Sequence, residues 1–598
     1  MPSPCPLEGE PALYGQAMSH SPKVAPTTGV VRTTVAQWIS EDPDETTREE
    51  LAELLARHEA GDPGATAALA EAFSGPLTFG SAGLRGRLGP GLGRMNRAVV
   101  IRATAGLCAY LREEIGDGFV VVIGYDARRC SDIFARDAAA VVTGAGGRAL
   151  LMDSHCPTPL LAFALRALDA DAGIMVTASH NPAQDSGFKV YLGGRMAGDW
   201  DRGAQIAPPQ DAAISEAIAA LGPLDSIPRA DSGWEPVGPG LREEYIERVV
   251  TSARTRAAAE LRIVLSAMHG VGGQICLEAL RRAGFDDVIV VPEQFDPDPG
   301  FPTVDIPNPE EAGAMDLLLN LAREKGADLA IALDPDADRC SVAVPDETVP
   351  GGWRQLTGDA VGILLGEQAA ELAAFTGTGV LASSIASGRM LRKIAQDHGL
   401  AHRITPTGFT WISRVPGLVF GYEEAMGYCV DPASVRDKDG IAAAVRIALL
   451  SSVLKAQGRS LLSLLDQLAQ RHGLHLTCQM SARAEDPEII GGIMRRLREG
   501  GAPAKLAGSP VVDVFDLLDG ASDGNGAQLP PADGIIIKTA ADDRVVVRPS
   551  GTERKLKCYC EVVMDVPETE EVSAVRTAAA DRLDLIKDDL RGVLGICA

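Results

Sequence analysis

Two apolar runs of strand length each lead into a loop dense in polar side chains, and this arrangement limits the possible folds more than any other feature. Residues 173–176 lead into T-A-S-H-N-P-A-Q-D-S-G-F-K-V-Y at residues 177–191. Residues 328–333 lead into D-P-D-A-D-R at residues 334–339. Open α/β sheets place such loops at the carboxyl ends of their strands, where they bind ligands. Both loops are therefore expected at ligand-binding edges of α/β sheets.

The first loop offers a hydroxyl group, that of Ser179, which can act as a nucleophile. Serine is a weak nucleophile at its free pKa and needs a base, a metal or both beside it. A Ser/Asn/Pro segment of this kind also commonly forms a plain turn that closes a strand. The loop alone therefore leaves a catalytic and a purely structural role open.

The second loop carries Asp334, Asp336 and Asp338 at alternate positions. Three such carboxylates can converge on one cation if the loop curls, and hard oxygen ligands suit Mg²⁺. Two alternatives are a turn that caps the next element and a calcium-binding loop. The glycine and glutamate that complete an EF-hand loop are missing here, so a calcium loop of that type is not expected.

The composition is that of a globular protein with several domains. A chain of 598 residues, 46% of them hydrophobic, is long enough for about three to five domains with separate cores. The formal net charge of -25 disfavours nucleic acid and anionic membranes as partners, so a phosphorylated small molecule would need a local basic cluster.

The 11 cysteines contain no C-x-x-C pair, which is typical of free thiols in a reducing compartment. No apolar run reaches ~18 residues and no signal peptide pattern is present, so we expect a cytoplasmic protein.

Alternating strand and helix patterns predict a mostly parallel sheet in the first part of the chain. Apolar runs at residues 119–124 and 149–152 are typical of buried strands, and a helical pattern lies between them. Similar series begin near residue 261 and after residue 353, whereas the tail combines short strands with one long helix. The predicted fold class is α/β, with three consecutive similar mixed or parallel α/β domains followed by a smaller α+β C-terminal domain around a central cleft. The predicted divisions are a mobile N-terminal extension at residues 1–35 and domains at residues 36–230, 231–345, 346–470 and 471–598.

Four motifs, in order, resemble those of the α-D-phosphohexomutase superfamily, which includes phosphoglucomutases, phosphomannomutases and phosphopentomutases. The serine loop and D-P-D-A-D-R are two of them. G-Y-E-E-A-M-G at residues 421–427 is similar to the family's sugar-recognition loop, and R-P-S-G-T-E-R-K at residues 548–555 is similar to its phosphate-binding loop. F-G-S-A-G-L-R-G at residues 79–86 matches a further family segment that lies beside the catalytic serine.

The resemblance implies roles for individual residues. In the family, the serine that matches Ser179 is phosphorylated and shares one Mg²⁺ with the three aspartates. The implied catalytic residues are Ser179, Lys189, Arg85 and His180. The implied metal ligands are Ser179, Asp334, Asp336 and Asp338. The implied substrate-binding residues are Arg339, Thr407, Gly408, Glu423, Glu424, Arg548, Ser550, Gly551, Thr552 and Lys555.

Lys189 matches a family lysine proposed to move the proton of the sugar hydroxyl. For this role its pKa would have to be lowered by neighbouring cations. The alternative is that Lys189 serves only as a counter-charge for phosphate. The last domain, joined only by a linker, is expected to close over the substrate and to keep water away from the phosphoserine.

The implied activity is that of a phosphosugar mutase. It would move a phosphoryl group between C1 and C6 of glucose or mannose phosphate, through a phosphoserine enzyme and a hexose 1,6-bisphosphate that also serves as activator. The alternatives are a phosphopentomutase, a hexose 1,6-bisphosphate synthase, a phosphatase that transfers the phosphoryl group to water, and a phosphosugar-binding regulatory protein. The sequence leaves open whether the protein is a monomer or a dimer.

Three residues depart from the family pattern. Ala425 stands where a serine or threonine is frequent, and Thr410 stands where many members have a lysine or histidine. Arg554 replaces the usual proline of the phosphate-binding loop and adds positive charge there. We expect a neighbouring lysine or histidine to compensate for Thr410.

Overall fold

The structure is a computed structural model, and it describes residues 28–80, 83–253, 256–375, 377–483, 487–522, 528–550 and 555–595. The described residues form four α/β units that follow one another along the chain. The predicted fold class is confirmed, because three units with mixed parallel sheets precede a last unit with an antiparallel sheet.

The first unit is a seven-stranded sheet with helices on both faces. Its helices are α1 (Thr28–Glu41), α2 (Glu45–Glu59), α3 (Pro63–Ala72), α4 (Arg97–Ile115), α5 (Ser131–Gly144), α6 (Thr158–Ala167) and α7 (Gln210–Ala219). Its strands are β1 (Leu84–Arg87), β2 (Val120–Tyr125), β3 (Arg148–Met152), β4 (Ala172–Val176), β5 (Asp185–Leu192), β6 (Ala204–Gln205) and β7 (Glu235–Val237). The strand order is β1-β5-β4-β2-β3-β7, with β6 on β5. β2, β3, β4 and β7 run parallel, whereas β5 is antiparallel to its neighbours.

Two features of this unit differ from the predicted divisions. Helix α1 begins at Thr28, inside the stretch expected to be a mobile extension, and residues 1–27 lie outside the described residues. Helix α1 belongs to the folded unit, because Val35 packs with Leu51 and Leu69 in a small apolar cluster. The sheet also continues to β7, beyond residue 230, where the first domain was expected to end.

The second unit is a five-stranded sheet in the order β12-β11-β10-β8-β9. Its helices are α8 (Gly240–Ser252), α9 (Gly273–Arg282), α10 (Pro292–Phe295) and α11 (Asp316–Lys325). Its strands are β8 (Ile263–Ser266), β9 (Val288–Val290), β10 (Leu329–Leu333), β11 (Cys340–Pro345) and β12 (Trp353–Gln355). The parallel strands β8, β9 and β10 form the buried part, and β12 extends the sheet beyond the predicted boundary at residue 345.

The third unit is a four-stranded sheet in the order β14-β13-β15-β16. Its helices are α12 (Gly358–Ala374), α13 (Met390–Asp397), α14 (Phe409–Ile412), α15 (Gly440–Ala456) and α16 (Leu461–His472). Its strands are β13 (Val380–Ser384), β14 (Ala401–Thr405), β15 (Leu418–Glu423) and β16 (Gly427–Cys429). The Asp439 carboxylate caps α15 by accepting a hydrogen bond from the Ala442 backbone N–H.

The last unit is built on a six-stranded antiparallel sheet in the order β17-β24-β23-β22-β19-β18. Its helices are α17 (Pro487–Arg496) and α18 (Val572–Leu594). Its strands are β17 (Leu474–Arg483), β18 (Lys505–Leu506), β19 (Ser509–Asp516), β20 (Ala521–Ser522), β21 (Gln528–Leu529), β22 (Ile535–Thr539), β23 (Arg544–Pro549) and β24 (Lys555–Met564). The sequence indicated the last three strands and α18, but not the long edge strand β17.

One continuous apolar core joins the first three units. It includes Leu161 of α6, Leu280 of α9 and Ile447 of α15, all essentially inaccessible to solvent. Among the described helices, none alone is long and apolar enough to cross a membrane, and α15 and α16 meet that criterion only as a pair bent by 86°. The last unit has a separate core between its sheet and α18.

The sequence suggested that the last unit is joined to the others only by a linker. In the structure the last unit also packs against the third unit. The buried Glu561 of β24 forms ion pairs with Arg389 of the third unit at 2.7 Å and with Arg544 at 3.1 Å. His475 contributes a further contact with the Glu561 carboxylate at 3.0 Å. These cations outweigh the burial of Glu561 and hold its pKa well below the ordinary value.

Candidate active site

Ser179 follows β4 in a backbone conformation that side-chain-bearing residues rarely adopt. Its φ angle is 52°, and its backbone N–H donates to the Thr177 hydroxyl at 2.9 Å. The residue is 1% exposed. Left-handed backbone at a residue other than glycine costs free energy and persists only where the surroundings impose it.

Arg128 imposes this conformation from the β2–α5 junction. Its guanidinium donates to four backbone carbonyl oxygens of the serine loop, those of Ser179 (2.6 Å), Asn181 (2.5 Å), Pro182 (2.8 Å) and Asp185 (3.1 Å). The carboxylate of Asp126 lies 3.4 Å from the same guanidinium. Since both side chains are only 1% exposed, the loop is anchored by a buried ion pair.

The aspartate loop of the second unit meets the serine loop directly. The Ser179 hydroxyl donates to Asp334 Oδ2 at 2.7 Å. Thr158, at the start of α6, donates through its hydroxyl to Asp336 Oδ2 at 2.6 Å. The two loops predicted to lie at sheet edges are thus in hydrogen-bonding contact, although 155 residues separate the serine from the first aspartate.

The three aspartates have the arrangement that a divalent cation requires. Asp334, Asp336 and Asp338 each present a carboxylate oxygen within 4.8 Å of the others, and all three side chains are buried. The Oδ1 atoms of Asp336 and Asp338 have no hydrogen-bond partner among the described residues. Burial and the two neighbouring carboxylates raise the pKa of Asp334 well above its ordinary value. Unpaired buried carboxylate oxygens fit a hard cation such as Mg²⁺.

Two lysines already compensate part of this negative charge. Lys189 Nζ lies 2.7 Å from Asp336 Oδ2 and 2.9 Å from Asp338 Oδ2, and Lys438 Nζ lies 3.1 Å from the same oxygen of Asp338. Burial disfavours the charged form of Lys189, but the carboxylates of Asp336 and Asp338 outweigh it and raise the pKa. The lowered pKa expected for a proton-transferring Lys189 is therefore not found. In this structure Lys189 is the counter-charge of two carboxylates, those of Asp336 and Asp338.

The side chain of His180 lies beside Ser179. Its Nδ1 atom lies 3.3 Å from the Ser179 hydroxyl oxygen. Burial, with the positive charges of Arg339 and Arg85, lowers the pKa of His180 well below the ordinary value. The imidazole is thus uncharged at neutral pH, and its Nδ1 atom faces the Ser179 oxygen, whose proton is donated to Asp334.

A cavity of about 110 Å³ opens onto the serine, and all four units line it. Of the residues that the sequence placed in the site, the following line this cavity: Arg85, Ser179, Lys189, Asp338, Arg339, Thr407, Gly408, Glu423, Glu424, Arg548 and Ser550. The basic residues among them form the local positive cluster that a phosphorylated ligand needs in a chain of net charge -25.

The remaining predicted site residues lie elsewhere. Asp334, Asp336 and His180 are buried around Ser179, behind the cavity wall. The Lys555 ammonium lies 3.1 Å from the Glu311 carboxylate and does not line the cavity. Gly551 and Thr552, like the variant position Arg554, lie outside the described residues.

The two glutamates of the sugar-recognition motif differ in their surroundings. Glu424 accepts hydrogen bonds from the Ser384 hydroxyl at 2.6 Å and the Ser387 hydroxyl at 2.9 Å. Burial raises the pKa of Glu423 despite the nearby charges of Lys438 and Arg339. Of the two carboxylates, that of Glu424 therefore accepts more hydrogen bonds from protein hydroxyls than that of Glu423.

Sequence reasoning missed five residues that line the cavity, namely Lys438, Lys557, Gln205, Tyr559 and Phe409. The alternation of side chains along β24 places Lys557 and Tyr559 on one face, and this signal was available in the sequence. Lys438 lies next to Asp439, the residue that caps α15. Its ammonium stands 5.2 Å from the centre of the Phe409 ring, next to the position of Thr410. No local pattern indicates Gln205.

The fold and the cleft define a phosphosugar mutase of the α-D-phosphohexomutase superfamily. The chain matches the phosphoglucomutase/phosphomannomutase alpha/beta/alpha domains I, II and III over residues 76–223, 243–348 and 357–472, and the C-terminal domain over residues 513–579. It belongs to the phosphoglucomutase/phosphomannomutase family.

Individual relatives support the same assignment. The chain is 41% identical to a "Probable phosphomannomutase" of Haemophilus influenzae over 468 residues, covering 78% of this chain and 92% of the relative. It is 34% identical to the human phosphopentomutase over 573 residues, covering 88% and 90%. A crystal structure of a phosphoglucomutase/phosphomannomutase family protein from Burkholderia thailandensis has the same fold, with a TM-score of 0.63, 20% identity and coverage of 86% and 97%.

Proposed function

We propose that the protein interconverts the 1-phosphate and 6-phosphate of glucose and mannose through a phosphorylated Ser179 and a hexose 1,6-bisphosphate. The observation that carries the proposal is that one cavity contains both the serine hydroxyl and the cations Arg548 and Lys557 of the last unit. A phosphatase needs one phosphate site, whereas a mutase that turns a bisphosphate around needs one at each end.

The residues around Ser179 suit phosphoryl transfer. This reaction requires in-line positioning and neutralised charge on the transferred group rather than elaborate covalent chemistry. Asp334, Asp336, Asp338 and the Ser179 oxygen would hold Mg²⁺, which neutralises charge on the phosphoryl oxygens when bound. Arg85 and Arg339 line the same cavity and supply further positive charge.

His180 is placed to move the proton of the serine. When Ser179 takes a phosphoryl group back from the bisphosphate, its hydroxyl must lose a proton. The neutral imidazole at 3.3 Å can accept this proton and return it in the reverse step. Lys189 and Lys438, paired with Asp338, maintain the charge balance of the site.

We assign recognition of the sugar to Glu423, with Thr407 and Gly408 beside it. A single carboxylate that reads two adjacent hydroxyls, those of C3 and C4, does not distinguish glucose from mannose, which differ at C2. Lys438 supplies a cation next to Thr410, the position at which the family resemblance leads us to expect a basic residue. We therefore expect that Thr410 does not abolish substrate binding.

A pentose phosphate is the second candidate substrate, because relatives such as the human phosphopentomutase are named for it. The test is a coupled assay with Mg²⁺ and trace glucose 1,6-bisphosphate that compares kcat/KM for glucose 1-phosphate, mannose 1-phosphate and ribose 1-phosphate. Comparable turnover of both hexose phosphates is the expected result. Turnover of ribose 1-phosphate alone would overturn the hexose proposal and leave the mutase class intact.

The same assay separates the remaining alternatives. A phosphatase would release inorganic phosphate in proportion to substrate consumed, and a binding protein would show no turnover with any sugar phosphate. A bisphosphate synthase would accumulate hexose 1,6-bisphosphate when supplied with a second phosphoryl donor. We expect phosphate release below about 1% of turnover, because the buried serine loop excludes water.

A further inference from the structure

We propose that Cys478 and Cys560 form a reversible disulfide on reaction with a hydroperoxide, a modification site separate from the catalytic cavity. The two residues lie directly opposite each other on the antiparallel strands β17 and β24. Directly opposed residues of an antiparallel pair project from the same face of the sheet, so the two side chains are neighbours.

The backbone spacing suits a disulfide. Directly opposed residues in an antiparallel pair have Cα atoms about 4.5–5.5 Å apart. Disulfides span Cα distances of about 4.4–6.8 Å. Cys558 points to the same face of β24 but lies opposite Met480. Its diagonal separation from Cys478, typically about 7–8 Å, lies beyond that range.

The surroundings distinguish Cys478 from the other thiols. Of the nine cysteines that the structure describes, eight have a pKa raised chiefly by burial or by a hydrogen bond to another thiol. The pKa of Cys478 is lowered, first by the hydrogen bond from Cys560 and also by the Lys587 ammonium of α18. Cys478 is also only partly buried, and β17 is the edge strand of the sheet. Thiolate character and access are the two requirements for reaction with peroxide.

The chemistry balances in two steps. The Cys478 thiolate attacks one oxygen of hydrogen peroxide, the O–O bond breaks, and a sulfenic acid and hydroxide form; the hydroxide takes up a proton to give water. The Cys560 sulfur then attacks the Cys478 sulfur, the S–O bond breaks, and the departing hydroxide leaves as water with the proton of Cys560. Two thiols lose two electrons in total, and one peroxide becomes two waters.

The experiment uses the full-length reduced protein and hydrogen peroxide. After treatment, free thiols are blocked with N-ethylmaleimide and the protein is digested with trypsin. Cleavage after Arg471, Arg483, Lys557 and Arg576 places Cys478 alone on residues 472–483, and Cys558 together with Cys560 on residues 558–576. A disulfide between these two peptides, lost on treatment with dithiothreitol, is the expected product.

Variants assign the sulfur atoms. Cys558→Ser should retain the link, whereas Cys478→Ser and Cys560→Ser should lose it. Cys560→Ser should instead allow dimedone to trap a sulfenic acid on Cys478. Cys130→Ser, which removes another partly buried thiol, is the matched control and should retain the link. The proposal is overturned if wild-type Cys478 stays reduced, if it is oxidised without forming a link, or if the link persists in Cys560→Ser.

Discussion

The two ends of the catalytic cavity are built in different ways. At the serine end, residues of the first two units are fully buried, and each is held by several partners: four carbonyl contacts from Arg128, the Ser179–Asp334 hydrogen bond and the Lys189 ion pairs. At the other end, Arg548 and Ser550 are half-buried on the last unit. That unit meets the third through the Glu561 ion pairs and a small apolar cluster.

The difference follows from what each end does in the proposed reaction. The end where bonds break must be organised before substrate arrives, since preorganised charges stabilise a transition state most effectively. The end that holds the second phosphate must accept two orientations of the bisphosphate. Cations that fewer protein partners hold in place are an advantage there. The comparison predicts that changes at the serine end reduce kcat, whereas changes at the other end raise KM.

The largest effect is expected from Ser179→Ala. Removal of the nucleophile should lower kcat/KM by at least about 10³-fold, as in other enzymes that lose their covalent nucleophile. Binding of glucose 1,6-bisphosphate, measured by isothermal titration calorimetry, should persist. Ser154→Ala, at an exposed hydroxyl of the same unit, is the control and should keep full activity. Residual turnover above a tenth of wild type would rule out a phosphoserine mechanism.

Arg128→Lys tests whether the serine loop is held in place by its guanidinium. A lysine ammonium is a point charge and cannot replace contacts with four carbonyl oxygens. We expect kcat to fall about 10–100-fold with little change in KM, because a small displacement of a reacting group has effects of this size. Arg129→Lys, at the exposed neighbouring position, serves as the control. An equal loss of kcat in both variants, or a rise in KM alone, would contradict the assignment.

Lys557→Ala tests the opposite end. Loss of one charge-assisted contact with phosphate is worth about 1.5–3 kcal/mol, which corresponds to a rise in KM of about 10–100-fold. The value of kcat should change less than in Arg128→Lys. Lys505→Ala removes an exposed lysine of the same unit that is not near the cavity and should leave both constants unchanged. A large fall in kcat without a rise in KM would contradict the proposed difference between the two ends of the cavity.

The same two regions show how far the sequence predicts the structure. The strand-to-loop transitions before Ser179 and Asp334 were visible as local patterns, and their position at sheet edges is confirmed. The sequence could not show whether Lys189 has the lowered pKa that proton transfer requires, because its partners Asp336 and Asp338 lie nearly 150 residues away and only the fold brings them together. Lys557 was missed, although it lies on β24, a strand that the sequence did indicate and whose side-chain alternation could have revealed it. The register of β24 with β17, which pairs Cys478 with Cys560, depends on an edge strand whose alternating pattern was not assigned.

At the contact between the third and last units the expected effect is on stability and not on catalysis. Asp359 lies there in a cavity of about 300 Å³ beside Glu561. Burial raises the pKa of Asp359 from 3.8 to about 6, while hydrogen bonds from the Gly388 N–H and the Tyr422 hydroxyl limit the rise. A raised pKa means that the folded state binds the proton more tightly than the unfolded chain. Stability from this group is therefore present below about pH 4 and is lost as the pH rises through 6, by up to about 3 kcal/mol.

Asp359→Asn keeps the accepting oxygen and removes the titration, so its Tm relative to wild type should increase between pH 4 and pH 8. Asp199→Asn, at an exposed carboxylate, is the control, and parallel Tm profiles for Asp359→Asn and wild type would show that Asp359 does not titrate in this range.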